Sequence, residues 1–545
     1  MTRSVIDPIT RIEGHLRAEM EVTDGVVTDA WVSGGCFRGM ELIVRDRTPE
    51  DAAYIVQRIC GVCPVSHAHA SSIAAEKAYG IAIPNNARII RNLIEGSQFL
   101  HSHILWFYNL AGLDYVNPLN ALSADAAATY ELAQQLGTPT ADFVSLQDRL
   151  TKFAENGQLS IFSGNWFDTG EYNLTPEADL ILTAHYLEAL QMQAKASEIA
   201  GLLGGKMPHI MTIVPGGTAF VPTEEKLDDL KGLVDELYNW VASTMIPDTL
   251  AVAQFYPEAA TFGKGCGRYG AWGVFERPSM EMNDRYLPAG VLDDKLNLSD
   301  VDESLITEYV GRSWYEGDAD LPPFGQGVKP AFTEYNVDDR YTWNKCPRYD
   351  GKPLETGGFA RLLVAYKRNV PFVVEQIDSL LVALGAQKGD LSALQNTLGR
   401  TGARQIETLY VATLMKEWVE ELCEAIKGGD SSYFEVPAQT TGEGTGFWEA
   451  PRGALYHSEK VKDGKIEDYQ IIIPSTWNLA PHDPDGNYGP MEQALIGVPV
   501  ADIEKPINAL RTVHSFDPCT ACAVHIVEPK TGKKFETVTS PWGVK

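Results

Sequence analysis

The sequence predicts a mainly α-helical fold with β decoration, an α+β body built on a bundle of long helices. Three observations carry that expectation. Five segments, 86–110, 178–203, 224–245, 359–384 and 402–427, place apolar residues at helical spacing. One β-hairpin is legible near the N-terminus. The composition, 44% hydrophobic and 22% charged over 545 residues, is that of an ordinary globular chain.

Taken in order, residues 15–35 read as the hairpin. Leu16, Ala18, Met20 and Val22 alternate with charged residues, and Asp24-Gly25 supplies the turn. Pro64 suits the first turn of a helix that runs through Ser66 to Tyr79. The five helical segments follow, and such helices pack as a bundle. Pro371 sits inside the stripe at 359–384 and is expected to kink it. The stretches 255–355 and 430–500 are rich in Gly, Pro and aromatics and read as irregular. No linker, charge block or repeat divides the chain, so 1–545 reads as a single large unit.

The charge excludes some functions. With 45 Lys+Arg against 73 Asp+Glu, the net charge is −28. That balance argues against nucleic-acid binding, which draws on Lys and Arg. No apolar run approaches the roughly 18 residues of a spanning helix. The first residues show no secretory signal, so export or membrane association is expected to come through a partner.

The cysteines carry the chemistry. Eight placed at random give about 0.1 pair at C-x-x-C spacing, and the chain has two: Cys60/Cys63 and Cys519/Cys522. Asp517-Pro518 reads as the start of a helix, and Cys63 precedes Pro64, so both pairs sit where a helix N-terminus favours thiolate. The pairs lie at opposite ends of the chain, too far apart for a zinc ribbon. Four thiolates would clasp both termini onto one buried, soft metal site. A structural zinc site is the alternative. Cys36, Cys266, Cys346 and Cys423 read as small buried hydrophobes.

The segments R-I-C-G-V-C-P-V-S-H (58–67) and D-P-C-T-A-C-A-V-H (517–525) resemble the two signature motifs of the nickel–iron hydrogenase large subunit. Shorter blocks at 7–15, 37–41, 449–455 and 474–478 match in order, so the resemblance runs almost end to end. It implies a nickel–iron centre with CO and cyanide on the iron. Cys60 and Cys519 would be terminal nickel ligands, and Cys63 and Cys522 bridges to iron. It implies that Arg452 polarises H2 over the metals, and that Pro451, Arg452 and Ser475 contact the cyanides while Leu455 walls the CO. Glu13 would be the first proton carrier. Asp517 would be a helix cap, an acid beside the metals, or both. His67 would hydrogen-bond a bridging sulfur. Glu41 and His525 would hold Mg2+.

Some positions depart from the family pattern. Ser102 stands where many members carry the aspartate that pairs with the arginine, which leaves the partner of Arg452 open. Trp106 replaces a frequent histidine, and Tyr456 a small residue. The resemblance further implies reversible heterolytic H2 cleavage in the uptake direction. Electrons would pass to a small subunit that alone carries iron–sulfur clusters, and through it to a membrane cytochrome or quinone-linked subunit. That subunit would also place the complex at the membrane, on the periplasmic face, with the cytoplasm as the alternative. The tail 526–545 would be removed by a maturation endopeptidase, which favours an enzyme over a hydrogen sensor. The rival class is a non-catalytic scaffold, like the complex I relatives of this fold or a zinc-clasped protein.

Overall fold

The computed structural model describes residues 2–317, 329–437, 439–483 and 485–520. About 48% of the chain is helical with small sheets beside the helices, the α+β fold the sequence predicts. Strand β1 (Thr2–Ile6) pairs with β2 (Leu16–Thr23), which turns into β3 (Val26–Gly34), all antiparallel. The turn residues Asp24 and Gly25 both adopt positive φ, 52° and 77°, as a two-residue hairpin turn requires.

Helix α1 (Pro64–Tyr79) begins at Pro64 with Cys63 as its N-cap residue. Helix α2 (Asn85–Ile104) runs on into a π-helical segment, Leu105–Ala111. With α3 (Pro176–Gly204) and α4 (Glu224–Trp240) it forms most of the bundle. The stripe at 359–384 is two helices, α5 (Gly358–Lys367) and α6 (Pro371–Ala383), and not one kinked helix. Asn369 takes a left-handed φ of 59°, and the proline ring disfavours helical geometry at Val370, so the chain leaves one helix and restarts at Pro371. Helix α7 (Thr397–Lys427) completes the bundle. It packs on α2 and α4, and their facing residues, among them Ile90, Ile94, Leu230, Val411, Met415 and Trp418, lie in the main core.

A second antiparallel sheet, β4 (Gly442–Ala450), β5 (Gly453–Lys462) and β6 (Lys465–Ile472), lies inside the stretch that reads as irregular. Two features hide it. Gly442, Gly444 and Gly446 are poor strand formers, and the first seven residues of β5 are all buried, so no alternation shows. The glycines have a packing reason. A Cβ on Gly442, Gly444 or Gly446 would come within 2.1, 2.0 or 1.9 Å of the carbonyl oxygens of Ala78, Ala74 and Ala70. Helix α1 therefore lies flat against the backbone of β4. Gly444→Ala is expected to push α1 outward and cost about 1–3 kcal/mol or more. A lowered unfolding midpoint checks this; an unchanged midpoint would mean that α1 packs differently.

Helix α8 (Ile507–Ser515) brings the far end of the chain back to the first sheet. Leu16, Ala18 and Met20 share a core with Leu510, Val513 and Phe516. The chain then departs from the sequence expectation, because Asp517 ends a helix instead of starting one. Its N–H donates to His514 O at 2.9 Å, its φ is 51°, and Cys519 lies in a backbone bridge to Glu13. The physical reason is that aspartate serves both places: it caps helix starts and also tolerates the left-handed turn after a helix. Cys522, His525 and the tail 526–545 lie outside the described residues. Of the four lone cysteines, Cys36 and Cys346 are buried as expected, whereas Cys266 and Cys423 are half-buried.

Candidate metal centre

The shared core of the two chain ends sets up the site. Glu13 and Cys519 form a parallel backbone bridge, and Thr520 N donates to Glu13 O at 2.5 Å. Cys60 and Cys63 arrive on the turn before α1. The three sulfurs of Cys60, Cys63 and Cys519 lie within 4.8 Å of one another, all buried. Among the described residues no other group of three or more His, Cys, Asp or Glu side chains gathers in this way. Cys60 Sγ is 3.4 Å from Cys519 Sγ, and it accepts the N–H groups of Val62 and Cys63 at 3.3 and 3.2 Å. Those donors favour a thiolate at Cys60. Hydrogen bonds with Cys519 and Cys60, then burial, push the Cys63 thiol well above its ordinary range. Ionising these thiols together in so small a buried space requires a cation, and soft sulfur donors fit nickel and iron.

Arg452 is aimed at this cluster by a tight turn. Ala450 pairs with Gly453 across β4 and β5, leaving Pro451-Arg452 as a two-residue loop. Gly453, at φ 135°, packs so closely that a Cβ would meet Thr356 Oγ1 at 2.5 Å. Buried Arg361 holds the turn from behind. It donates to Pro451 O at 2.8 Å and Ala450 O at 2.9 Å, and pairs with Glu407 and Glu449. Arg452 itself is buried. Its Nη2 lies 3.1 Å from Asp517 Oδ1, and its Nη1 donates to Ser102 Oγ at 3.3 Å. Burial opposes its charge, but Asp517 and then Cys519 outweigh that and keep the guanidinium protonated. Nε and Nη2 make no hydrogen bond among the described residues, so buried donors remain for a small acceptor beside the thiols.

The other expected positions fall as follows. Ser475 and His67 line one small cavity with Cys63, Arg452 and Cys519. Ser475 Oγ accepts the Cys519 N–H at 2.9 Å, which leaves its own proton to donate. His67 Nδ1 lies 3.1 Å from His457 Nε2, and burial lowers His67 to about 4, so the ring is neutral. The Glu13 side chain reaches Gly61, and burial followed by the nearby Cys60 raises its carboxyl above the ordinary range. Leu455 is fully buried opposite Trp448 on β4. Glu41 lines a second cavity with Cys519, Ser475, Glu308 and Lys345. Its Oε1 accepts the Ile471 N–H at 3.1 Å and lies 3.9 Å from Lys345 Nζ. Glu308 and Lys345 come from the irregular stretch 255–355, where no periodicity or motif marks them.

A buried thiol cluster clasped from both chain ends, faced by a buried arginine and a carboxylate, defines a thiolate metal enzyme. The model of the nickel-dependent hydrogenase family matches residues 38–525. The Hydrogenase-2 large chain of Escherichia coli (strain K12) is 39% identical, covering 96% of this chain and 97% of that one. The uptake hydrogenase large subunit of Rhodobacter capsulatus is 38% identical, covering 98% and 97%. The Ni-Fe-Se hydrogenase structure from D. vulgaris Hildenborough in the reduced state matches with a TM-score of 0.81 at 36% identity, over 96% of this chain and all of that one. The chain belongs to the nickel-dependent hydrogenase family and is a large, catalytic subunit, an oxidoreductase acting on H2.

Proposed function

We propose that this subunit works in the uptake direction, oxidising H2 at a nickel–iron centre held by Cys60, Cys63, Cys519 and Cys522. The convergence of three buried thiols from both ends of the chain carries the reading, and the uptake relative in Rhodobacter capsulatus supports the direction. When bound, the centre supplies the electron-rich metals at which the H–H bond breaks heterolytically. Arg452 holds fixed positive charge over the site, where excluded water makes it most effective. Its Nε, which makes no hydrogen bond among the described residues, would suit a cyanide ligand on iron together with the Ser475 hydroxyl and the Pro451 turn, and Leu455 would wall the CO.

Cys519 Sγ takes the proton, and the charged Arg452 stays protonated above it. Glu13, tied by its backbone to Cys519 and Thr520, receives it next, and Asp517 keeps Arg452 in register. Glu41, which shares a cavity with Cys519, would hold Mg2+ together with His525, which lies outside the described residues; a carboxylate donor suits that ion. An apolar cavity lined by Trp106, Phe107, Leu113, Val116 and Phe162 begins one turn beyond Ser102, where H2 can dwell.

The large-subunit relatives imply a small-subunit partner. It takes the electrons through its iron–sulfur clusters and passes them to a membrane cytochrome or quinone-linked subunit. No helix of the described residues is long and apolar enough to cross a membrane. Association with the periplasmic face would come through the small subunit, and a maturation endopeptidase would remove 526–545. Metal analysis with infrared spectroscopy of the purified complex tests the centre. Nickel and iron are expected in equal amounts with CO and cyanide bands; zinc at full occupancy without nickel would overturn the reading.

A further inference from the structure

A second line of buried polar side chains leaves the thiol cavity, and none of the steps above uses it. It begins at His67 and follows the seam between α1 and the sheet β4–β6. His67 Nδ1 lies 3.1 Å from His457 Nε2, and His457 Nδ1 lies 2.8 Å from Tyr469 Oη. Tyr469 Oη in turn donates to Ser71 Oγ at 2.8 Å. Glu459 sits directly across the β5–β6 pair from Tyr469. It is fully buried, and neither carboxyl oxygen makes a hydrogen bond among the described residues. Farther along, Tyr79 at the end of α1 donates to Glu50 Oε1 at 3.4 Å, and Glu50 is exposed in the first turn of the helix Pro49–Ile55.

The line follows from secondary-structure periodicity. His67 and Ser71 are one turn apart on α1, and His457 and Glu459 are two apart on β5, so each pair shares a face. The rest of this seam is alanine against glycine backbone, with Ala70, Ala74 and Ala78 over Gly446, Gly444 and Gly442. Packing there asks for small apolar groups. Two imidazoles, a phenol and a carboxyl buried in such a seam cost free energy that packing does not explain.

We propose that His67, His457, Tyr469 and Glu459 form a second proton conduit, which joins the thiol cavity to the surface at Glu50 independently of Glu13. This rests on the thiol cluster being where H2 is split. Each imidazole takes a proton on one nitrogen and releases one from the other. Tyr469 takes one on its oxygen and releases its own toward Glu459, and the carboxyl passes one on toward Tyr79 and Glu50. One proton enters at the cavity, one leaves at the surface, and no electron moves. Directly opposed strand residues have Cβ atoms about 4.5–5.5 Å apart, a span that side chains of this length or one bridging water closes. The groups suit the task. Burial, followed by the neighbouring Glu50, pushes the Glu459 carboxyl well above its ordinary range, which favours its protonated form. Burial, followed by His67, keeps His457 neutral.

The test uses the assembled two-subunit enzyme with Glu13→Gln, Glu459→Gln and Tyr469→Phe, alone and combined. Two rates are compared. Conversion of para- to ortho-hydrogen needs only cleavage and re-formation of H2, whereas uptake of solvent deuterium into the gas needs protons to cross the protein. Glu13→Gln is expected to keep a residual deuterium uptake. Adding Tyr469→Phe or Glu459→Gln lowers that residual by about tenfold or more, while para–ortho conversion holds within about twofold. Infrared difference spectra give a readout apart from turnover: the C=O stretch of a neutral carboxylic acid is present in the parent and lost in Glu459→Gln. A double variant with the same deuterium uptake as Glu13→Gln alone overturns the conduit, as does an unchanged acid band. Loss of both rates in Tyr469→Phe, the mildest change, also overturns it, since that marks damage to the site. A parent enzyme that shows neither rate fails the metal-site reading instead.

Discussion

Replacing Arg452 with lysine is expected to lower H2 oxidation by about 10²- to 10³-fold while leaving nickel and iron content unchanged. The two-residue turn between β4 and β5 fixes the start of the side chain, and Arg361 fixes the turn. The planar guanidinium then does two things at once. Nη2 pairs with Asp517 and Nη1 reaches Ser102, while Nε keeps its donor unspent in the buried site. A lysine ammonium is a compact point charge. At this position Asp517 captures it, and the fork of donors over the site is lost. Overall charge is conserved, so the effect isolates direction from charge. Steady-state oxidation with an artificial electron acceptor, alongside metal analysis and the infrared bands, checks this. A lysine variant within tenfold of the parent would show that charge alone suffices.

The departure at Ser102 also resolves here. The sequence leaves the partner of Arg452 open, because a serine stands where an aspartate is common. The structure supplies one carboxylate, Asp517 at 3.1 Å, with Ser102 as a neutral acceptor at 3.3 Å. Asp517 is in the motif, yet its reading as a helix start is wrong. Spacing tells which residues come together far less well than which are locally periodic. The hairpin at Asp24-Gly25 and the start of α1 at Pro64 are legible because their signals are local: a turn dipeptide and a fixed φ. Pro371 is local as well, but a kink and a restart leave the same apolar stripe. The β4–β6 sheet is hidden because its glycines answer to α1, which lies hundreds of residues earlier. The thiol cluster is legible only because two rare pairs share one spacing. His457, Tyr469, Glu308 and Lys345 carry no such mark; their partners are set by tertiary packing.

Glu13→Gln is expected to lower turnover by about 10²-fold or more without altering para–ortho hydrogen conversion. Two features of the structure argue for this separation. The backbone of Glu13, not its carboxylate, makes the bridge to Cys519 and the bond from Thr520, so an amide side chain leaves the chain ends clasped. The carboxylate reaches the turn between Cys60 and Cys63, where its surroundings already favour proton uptake: burial first, then the charge of Cys60, raise it. Glutamine keeps the shape and can still hydrogen-bond, but it cannot carry a proton from one side to the other. Cleavage of H2 therefore continues in the closed site while net removal of protons slows. Glu13→Asp provides the control: it keeps an ionisable group but shortens the reach by one methylene, and it should recover part of the lost rate. If glutamine and aspartate fall equally, both the proton and the full reach of the side chain are needed. If glutamine turns over at the parent rate, protons leave by another route, and the line through His457 and Glu459 is then the one to block.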